Sequence, residues 1–379
     1  MSIYIDNAAT SFPKPPDVLQ AMQHFLNDVG ANPGRSGHRA SVEAGRILYG
    51  VRDALARLFS IQDPLNIVFT MNATMALNIA ILGLLKPGDH AITSSMEHNS
   101  VARPLKHLEG RGVEVTYIEC DRQIGILDPQ VVQTAIKRNT RLIALIHASN
   151  VCGGVLPVED IGRIARKAGI PFLVDASQTA GSYSIDVDKM NIDLLAFPGH
   201  KCLFGPQGTG GLYVRPDITL EPLYYGGTGS RSEYELQPEF MPDRLESGTP
   251  NTVGIAGLGA GVDYILRVGL PNIIEHKKKL TQRFLRGLDD MPHVEIAGRN
   301  GTADGMSVIS INIDGKASSE VGRRLEEEDG ILVRCGLHCA PLAHKTLGTF
   351  PDGTVRFSLG YFNTEEEIDT ALSAIERMQ

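Results

Sequence analysis

Residues Leu142-Ile-Ala-Leu-Ile146 are apolar at every position, and Phe172-Leu-Val174 and Leu194-Leu-Ala-Phe197 are built the same way. Successive side chains of a strand point to opposite faces, so a strand with one wet face alternates apolar and polar residues. A strand apolar on both faces is covered on both, as in a mostly parallel sheet sandwiched between helices. Strand-like runs at residues 66–70, 91–94, 113–117, 142–147, 172–174, 194–197 and 211–214 alternate with helical patterns. One such helix carries Leu77, Ala80, Ile81 and Leu84 on one face and stops at Lys86-Pro-Gly-Asp89; another is entered at Asp128-Pro129. The class expected is α/β.

Beyond Thr252 the pattern changes. A helical stretch to about Met291 is broken at Gly269-Leu-Pro271, and strands are expected at 307–313, 331–334 and 354–358, with helices at 318–329 and from Thr364. This reads as a smaller α+β domain, which divides the chain into residues 1–255 and 256–379. The N-terminal segment is free to pack with the smaller part.

Composition narrows the function. The 379 residues carry 36 Lys and Arg against 44 Asp and Glu, a formal charge of −8, so neither nucleic acid nor an anionic membrane surface is an expected partner. Five cysteines without a CxxC argue against a disulfide framework, and no metal site is expected. The N-terminus has no signal-peptide pattern, and the most apolar stretch, residues 71–85, is interrupted by Asn72, Thr74 and Asn78. A cytoplasmic protein is expected.

The strongest chemical signal is Asp193-Leu-Leu-Ala-Phe-Pro-Gly-His-Lys201, an apolar strand running into a turn and then a glycine-rich stretch. A lysine there suits imine chemistry, since burial lowers an amine pKa; it also suits an ordinary surface turn. Asp175 ends the strand of Pro171-Phe-Leu-Val-Asp175, at the sheet edge where open α/β folds bind ligands. Such a carboxylate can keep a pyridine nitrogen protonated, or it can cap the next helix. The turn Phe69-Thr-Met-Asn-Ala73-Thr74 offers amides and a hydroxyl to a phosphate, as many strand–helix turns do without binding one. His98 and Asn150 also follow strands, where polar side chains often satisfy only loop backbone.

These motifs together resemble the class V aminotransferase family of fold-type-I pyridoxal-phosphate (PLP) enzymes, nearest to cysteine desulfurases and selenocysteine lyases. The likeness runs nearly end to end, through Asp6-Asn-Ala-Ala-Thr10, the His98 loop, Ser149-Asn150, Asp175 and Gln178, and Gly199-His-Lys201. It continues through Glu246-Ser-Gly-Thr-Pro-Asn-Thr252 and Arg334-Cys-Gly-Leu-His-Cys339 to Arg356-Phe-Ser-Leu-Gly-Tyr-Phe-Asn363. The resemblance implies a seven-stranded, mostly parallel sheet and PLP bound through Lys201. It also implies a partnership of Asp175 with the ring nitrogen, and His98 stacked on the ring. Gln178 and Asn150 would meet the phenolic oxygen, and Ala73, Thr74 and His200 the phosphate. Thr249 would reach the phosphate site of a second copy, making a homodimer. Arg356, aided by Asn150, would take the substrate carboxylate.

Two positions depart from the family pattern. Pro198 and Ala73 stand where hydroxyl residues are common, which removes phosphate hydrogen bonds: either the cofactor is held less tightly, or Ser177 or another hydroxyl replaces them.

Cys339 separates sulfur transfer from transamination, because it stands where the family keeps its persulfide cysteine. His338, Arg334 and His344, near in sequence, form an electropositive setting that favours a thiolate; the alternative is an inert buried cysteine. The activity implied is conversion of L-cysteine to L-alanine with sulfur passing to Cys339 and then to an acceptor protein or thiol. L-selenocysteine, or another class V reaction, is the alternative. Cys335 reads as an apolar filler or a second thiol, Cys202 as a neighbour of Lys201, and His38, in the loop 32–38, as a candidate for lining the site entrance.

Overall fold

A computed structural model describes residues 2–34, 37–298 and 305–378. Seven strands form the large sheet in the order Ile67–Thr70, Gly210–Val214, Leu194–Pro198, Phe172–Asp175, Thr140–Ile146, His90–Ser94, Glu114–Ile118. Only Gly210–Val214 runs antiparallel to its neighbours. The all-apolar runs have the expected cause. Leu142 and Ala144 pack into one core with Leu173, Leu194 and Leu212, whereas Ile143 and Leu145 pack into the opposite core with Val174, Leu195 and Phe197.

Local signals fix the helices that frame the sheet edge. Asn72 caps the helix Ala73–Leu84 by accepting from Met75 N at 2.9 Å, and Asp128 caps Pro129–Ala135 in the same way from Gln130 N. The break expected at Gly269 divides the long helical stretch into two helices, Thr252–Val268 and Leu270–Asp289, bent by 83° at Gly269, whose φ of 88° no helix interior adopts. Among the described residues no single helix is long and apolar enough to cross a membrane.

A second, antiparallel sheet has the order Arg334–Gly336, Thr354–Ser358, Val308–Ile313, Val294–Ala297. It packs against the helices Ser318–Asp329, Leu270–Asp289 and Glu365–Glu376. The last of these starts with a full capping box at Thr364 and Glu367. The single strand expected at 331–334 is instead two. Ile331–Leu332 pairs in parallel with Ile3–Tyr4, and the chain then crosses at Val333 to the four-stranded sheet. The N-terminal segment is thereby hydrogen-bonded beside the antiparallel sheet while the residues after it return to the large sheet's edge.

Candidate active site

The carboxyl ends of the parallel strands open onto one cavity of about 210 Å³. Ala73, Thr74, His98, Asn150, Asp175, Gln178, His200, Lys201 and Arg356, far apart in sequence, all line it. Lys201 follows the strand Leu194–Pro198 through Gly199, where a Cβ would sit 2.1 Å from Thr209 Oγ1; only glycine lets the turn close there. Burial pushes the Lys201 amine down to about 8, against an opposing pull from Asp175.

Asp175 is buried, and its Oδ1 accepts from Ser177 N at 2.9 Å and from Ser177 Oγ at 2.5 Å. Among the described residues its second oxygen has no hydrogen-bond partner. Burial raises its pKa despite those bonds and the attraction of the Lys201 amine. Gln178 donates to Ala8 O at 3.2 Å, which draws the N-terminal segment over the cavity.

The helix Ala73–Leu84 begins at the cavity wall, and its first-turn amides, those of Ala73 and Thr74, have no intrahelical acceptor. Thr74 Oγ1 lies 2.7 Å from Ser100 Oγ, and Ser100 Oγ lies 2.9 Å from His98 Nδ1. His98 Nδ1 also accepts from Ser100 N at 3.0 Å and caps the helix Asn99–Glu109, so its Nε2 carries the proton. Burial and the cations Lys201, Arg334, Arg356 and Arg103 lower it to about 4, leaving a neutral ring. His200 is likewise held neutral by burial, at about 4. Pro198 lines the cavity without a hydroxyl, whereas Ser100 and Ser177 bring two. The sequence reading singled out Ser177 but overlooked Ser100, whose signal was its place in the cap motif two residues after His98.

Arg356, 1% exposed, donates from Nη1 to Asn150 O at 3.1 Å and from Nη2 to Asp6 Oδ1 at 2.7 Å. Asn150 spends Nδ2 on His338 O at 2.7 Å, which leaves one amide hydrogen for anything else.

Cys339 does not line the cavity; it is exposed beside it, in a loop tied down by Asn99 N donating to Cys339 O at 2.8 Å. His338 and Cys339 take φ values of 47° and 58°, the left-handed region that costs a non-glycine residue about 1–2 kcal/mol. Arg334, which does line the cavity, donates from Nη2 to Cys339 Sγ at 3.3 Å. The electropositive setting is narrower than the sequence suggested. Burial drives His338 down to about 2 and His344 to about 4, so both are neutral and the positive charge at the thiol comes from guanidinium groups, Arg334 in contact and Arg356 further off. A residue adjacent in sequence to Cys339 contributes no cation because its ring is packed inside and bonded to Thr354 Oγ1 at 2.9 Å.

Thr249 also lies outside the cavity, exposed, with its Oγ1 3.3 Å from Asn32 Nδ2. His38 caps the helix Arg39–Phe59 by accepting from Ser41 N and does not line the cavity; Arg35 and Ser36 of its loop lie outside the described residues. Cys202 turns to Lys277 Nζ at 3.6 Å, and Cys335 packs against the small-sheet core.

A half-buried lysine with an enclosed amine and a buried carboxylate at adjacent strand ends, with an arginine from a second sheet closing the same cavity, define an α/β enzyme site of the lysine–carboxylate type. The chain belongs to the class-V aminotransferase family, whose sequence profile matches residues 3–371. It is 37% identical over 384 residues to a probable cysteine desulfurase of Methanothermobacter thermautotrophicus, covering 99% of this chain and 94% of that protein. It is 34% identical to a probable cysteine desulfurase of Synechocystis sp., covering 99% and 90%. The apo structure of a cysteine desulfurase from Thermococcus onnurineus NA1 superposes with a TM-score of 0.93 at 37% identity, covering 100% of this chain and 94% of that one.

Proposed function

We propose that the protein is a PLP-dependent cysteine desulfurase that converts L-cysteine to L-alanine and takes the sulfur onto Cys339. The observation that carries this is the Arg334 side chain, which lines the cavity of Lys201, Asp175 and Arg356 and also holds the Cys339 thiol. An ordinary transaminase has no use for a thiol held there.

The cavity fits a phosphorylated pyridine aldehyde. Asn150 Oδ1, His200 Nδ1, His338 Nδ1 and Arg356 Nε are buried polar atoms without a partner among the described residues, and all four belong to lining residues. Such atoms cost free energy unless a ligand or water meets them. The free amides of Ala73 and Thr74, with the Thr74 and Ser100 hydroxyls, suit a phosphate at a helix N-terminus. Asp175, buried with hydrogen bonds to only one of its oxygens among the described residues, suits a ring nitrogen whose proton it keeps, and Lys201 suits the aldehyde carbon. Gln178 and Asn150 suit the phenolic oxygen, and the neutral, cap-locked His98 ring suits a stacking partner. When bound, PLP supplies the electron sink that makes the substrate Cα–H acidic and its Cβ–S bond labile.

This chain's residues do the rest. Arg356 holds the α-carboxylate with the N–H donors left free by Asn150 O and Asp6. Lys201 Nζ, an amine that burial holds near 8, takes the proton from Cα and returns one later. Cys339 Sγ, as thiolate, forms an S–S bond to the substrate sulfur as the Cβ–S bond breaks. The electron pair of that bond stays with the carbon skeleton, which takes up protons to leave as alanine. The persulfide left on exposed Cys339 is then within reach of an acceptor thiol or protein.

The active form is a homodimer in this reading. Thr249 belongs to a surface that includes the exposed side chains Tyr49, Met71 and Tyr224, and it serves the phosphate site of the second copy. The direct test is the absorbance of the PLP-loaded protein, followed by alanine and sulfide assays on L-cysteine and L-selenocysteine. Loss of sulfide release in Cys339→Ala, with the bound-cofactor spectrum kept, supports the reading; undiminished sulfide release refutes it.

A further inference from the structure

The segment Asp6-Asn-Ala-Ala-Thr10 stands out in the sequence, yet the reaction above assigns Asp6 and Asn7 nothing. Its hydrogen bonds converge on the end of the strand Thr354–Ser358. Asn7 N and Asn7 Nδ2 both donate to Ser358 O, at 3.2 and 3.1 Å, and Ala8 N donates to Ser358 Oγ at 2.9 Å. Asn7 Nδ2 also reaches Asn363 Oδ1 at 3.2 Å. This lacing fixes Asp6 two residues along from the point where Arg356 leaves the same strand, and Asp6 Oδ1 takes Arg356 Nη2 at 2.7 Å.

We infer that Asp6 is the positioning residue for substrate-carboxylate recognition: it orients the Arg356 guanidinium toward the cavity and balances its charge. Three observations carry this. Arg356 is 1% exposed and Asp6 is its one acidic ion-pair partner among the described residues, so Asp6 is what keeps the cation from being buried uncompensated. Asp6 stands outside the ring of cavity-lining residues, whereas Arg356 lies within it, so the carboxylate braces the guanidinium from behind and leaves the substrate's place open. Of the five N–H donors of a guanidinium, Asp6 and Asn150 O engage one each, which fixes the plane of the fork and leaves donors for a second, incoming carboxylate. Discrimination for an α-amino acid over a simple amine then depends on a residue from the N-terminal segment as much as on the arginine.

The inference rests on the reading of Arg356 as the carboxylate receptor, and the test separates the two. PLP-loaded protein is titrated with L-alanine, which has the carboxylate, and with ethylamine, which lacks it, and binding is followed by the change in cofactor absorbance. Asp6→Ala weakens L-alanine about tenfold or more and leaves ethylamine within twofold, and it raises KM for L-cysteine with little change in kcat. Asp6→Asn keeps an acceptor oxygen but not the charge, and falls between wild type and Asp6→Ala. Equal loss for both amines marks a general structural role and overturns the inference. Tighter L-alanine binding in Asp6→Asn overturns it as well, because Asp6 would then be competing for the guanidinium. If Arg356→Lys leaves the wild-type preference for L-alanine intact, it is the carboxylate-receptor reading that fails. Absence of sulfide from the wild type would refute the desulfurase reading alone.

Discussion

Arg334 Nη2 lies 3.3 Å from Cys339 Sγ, and the same guanidinium borders the cavity that holds Lys201 and Asp175. One side chain thus spans the distance between a thiol in solvent and the enclosed chemistry. With His338 and His344 neutral, no imidazolium shares the task. Replacing Arg334 by Gln removes a charge-assisted contact. Alkylation of Cys339 by iodoacetamide at neutral pH should slow by about tenfold, the equivalent of about 1.4 kcal/mol, while the spectrum of bound cofactor stays. An unchanged alkylation rate would mean that the guanidinium does nothing for the thiolate.

Cofactor capture should report the amine of Lys201. Only the neutral amine attacks an aldehyde, and burial sets its pKa at about 8. The rate of chromophore formation on adding PLP to apoprotein should climb about tenfold per pH unit below that value and level off above it. A rate still climbing steeply at pH 10 would place the amine in an ordinary solvated setting.

Asp175 should trade stability for activity. Its folded-state pKa is raised by burial, so the folded apoprotein holds that proton more tightly than the unfolded chain does. For an acid shifted upward, stability falls as pH rises from the model-peptide range of about 4 through the folded value, and above that window the ionised group is a standing cost. Asp175→Asn should therefore melt higher than wild-type apoprotein at neutral pH, by calorimetry, and should lose about 10²–10⁴ in turnover once loaded.

Much of this was legible in the chain and some was not, for physical reasons. The double-sided burial of Leu142–Ile146, the cap at Asp128 and the break at Gly269 are local consequences of residue type, and local pattern reports them. The cavity residues followed from strand ends plus family likeness. What local pattern does not carry is the third dimension. Val333 gives no sign that the chain changes sheets there. Burial neutralises His338, and burial is a property of what packs around it. The ring of Asp6, Asn150 and Arg356 joins three distant segments.

The loop bearing Thr249 is anchored by a nearly dry ion pair. Arg52 Nη1 and Nη2 meet Glu246 Oε1 and Oε2 at 2.9 and 2.7 Å, and Glu246 Oε1 also accepts from Phe69 N. Arg52→Ala leaves that carboxylate half-buried without its counter-charge, and should cost about 3 kcal/mol in denaturant unfolding of the apoprotein. It should also weaken the homodimer proposed above, measured by sedimentation. A loss below about 1 kcal/mol would make the pair a surface ornament.

The central claim, that sulfur leaves cysteine for Cys339, is tested most directly in a single turnover without reductant. PLP-loaded protein receives one equivalent of L-cysteine, alanine is counted, and the intact and digested protein is weighed. The account predicts one added sulfur atom, mapped to the Cys339 peptide, for each alanine formed. Alanine appearing with the Cys339 peptide unmodified and the sulfur free in solution would contradict it.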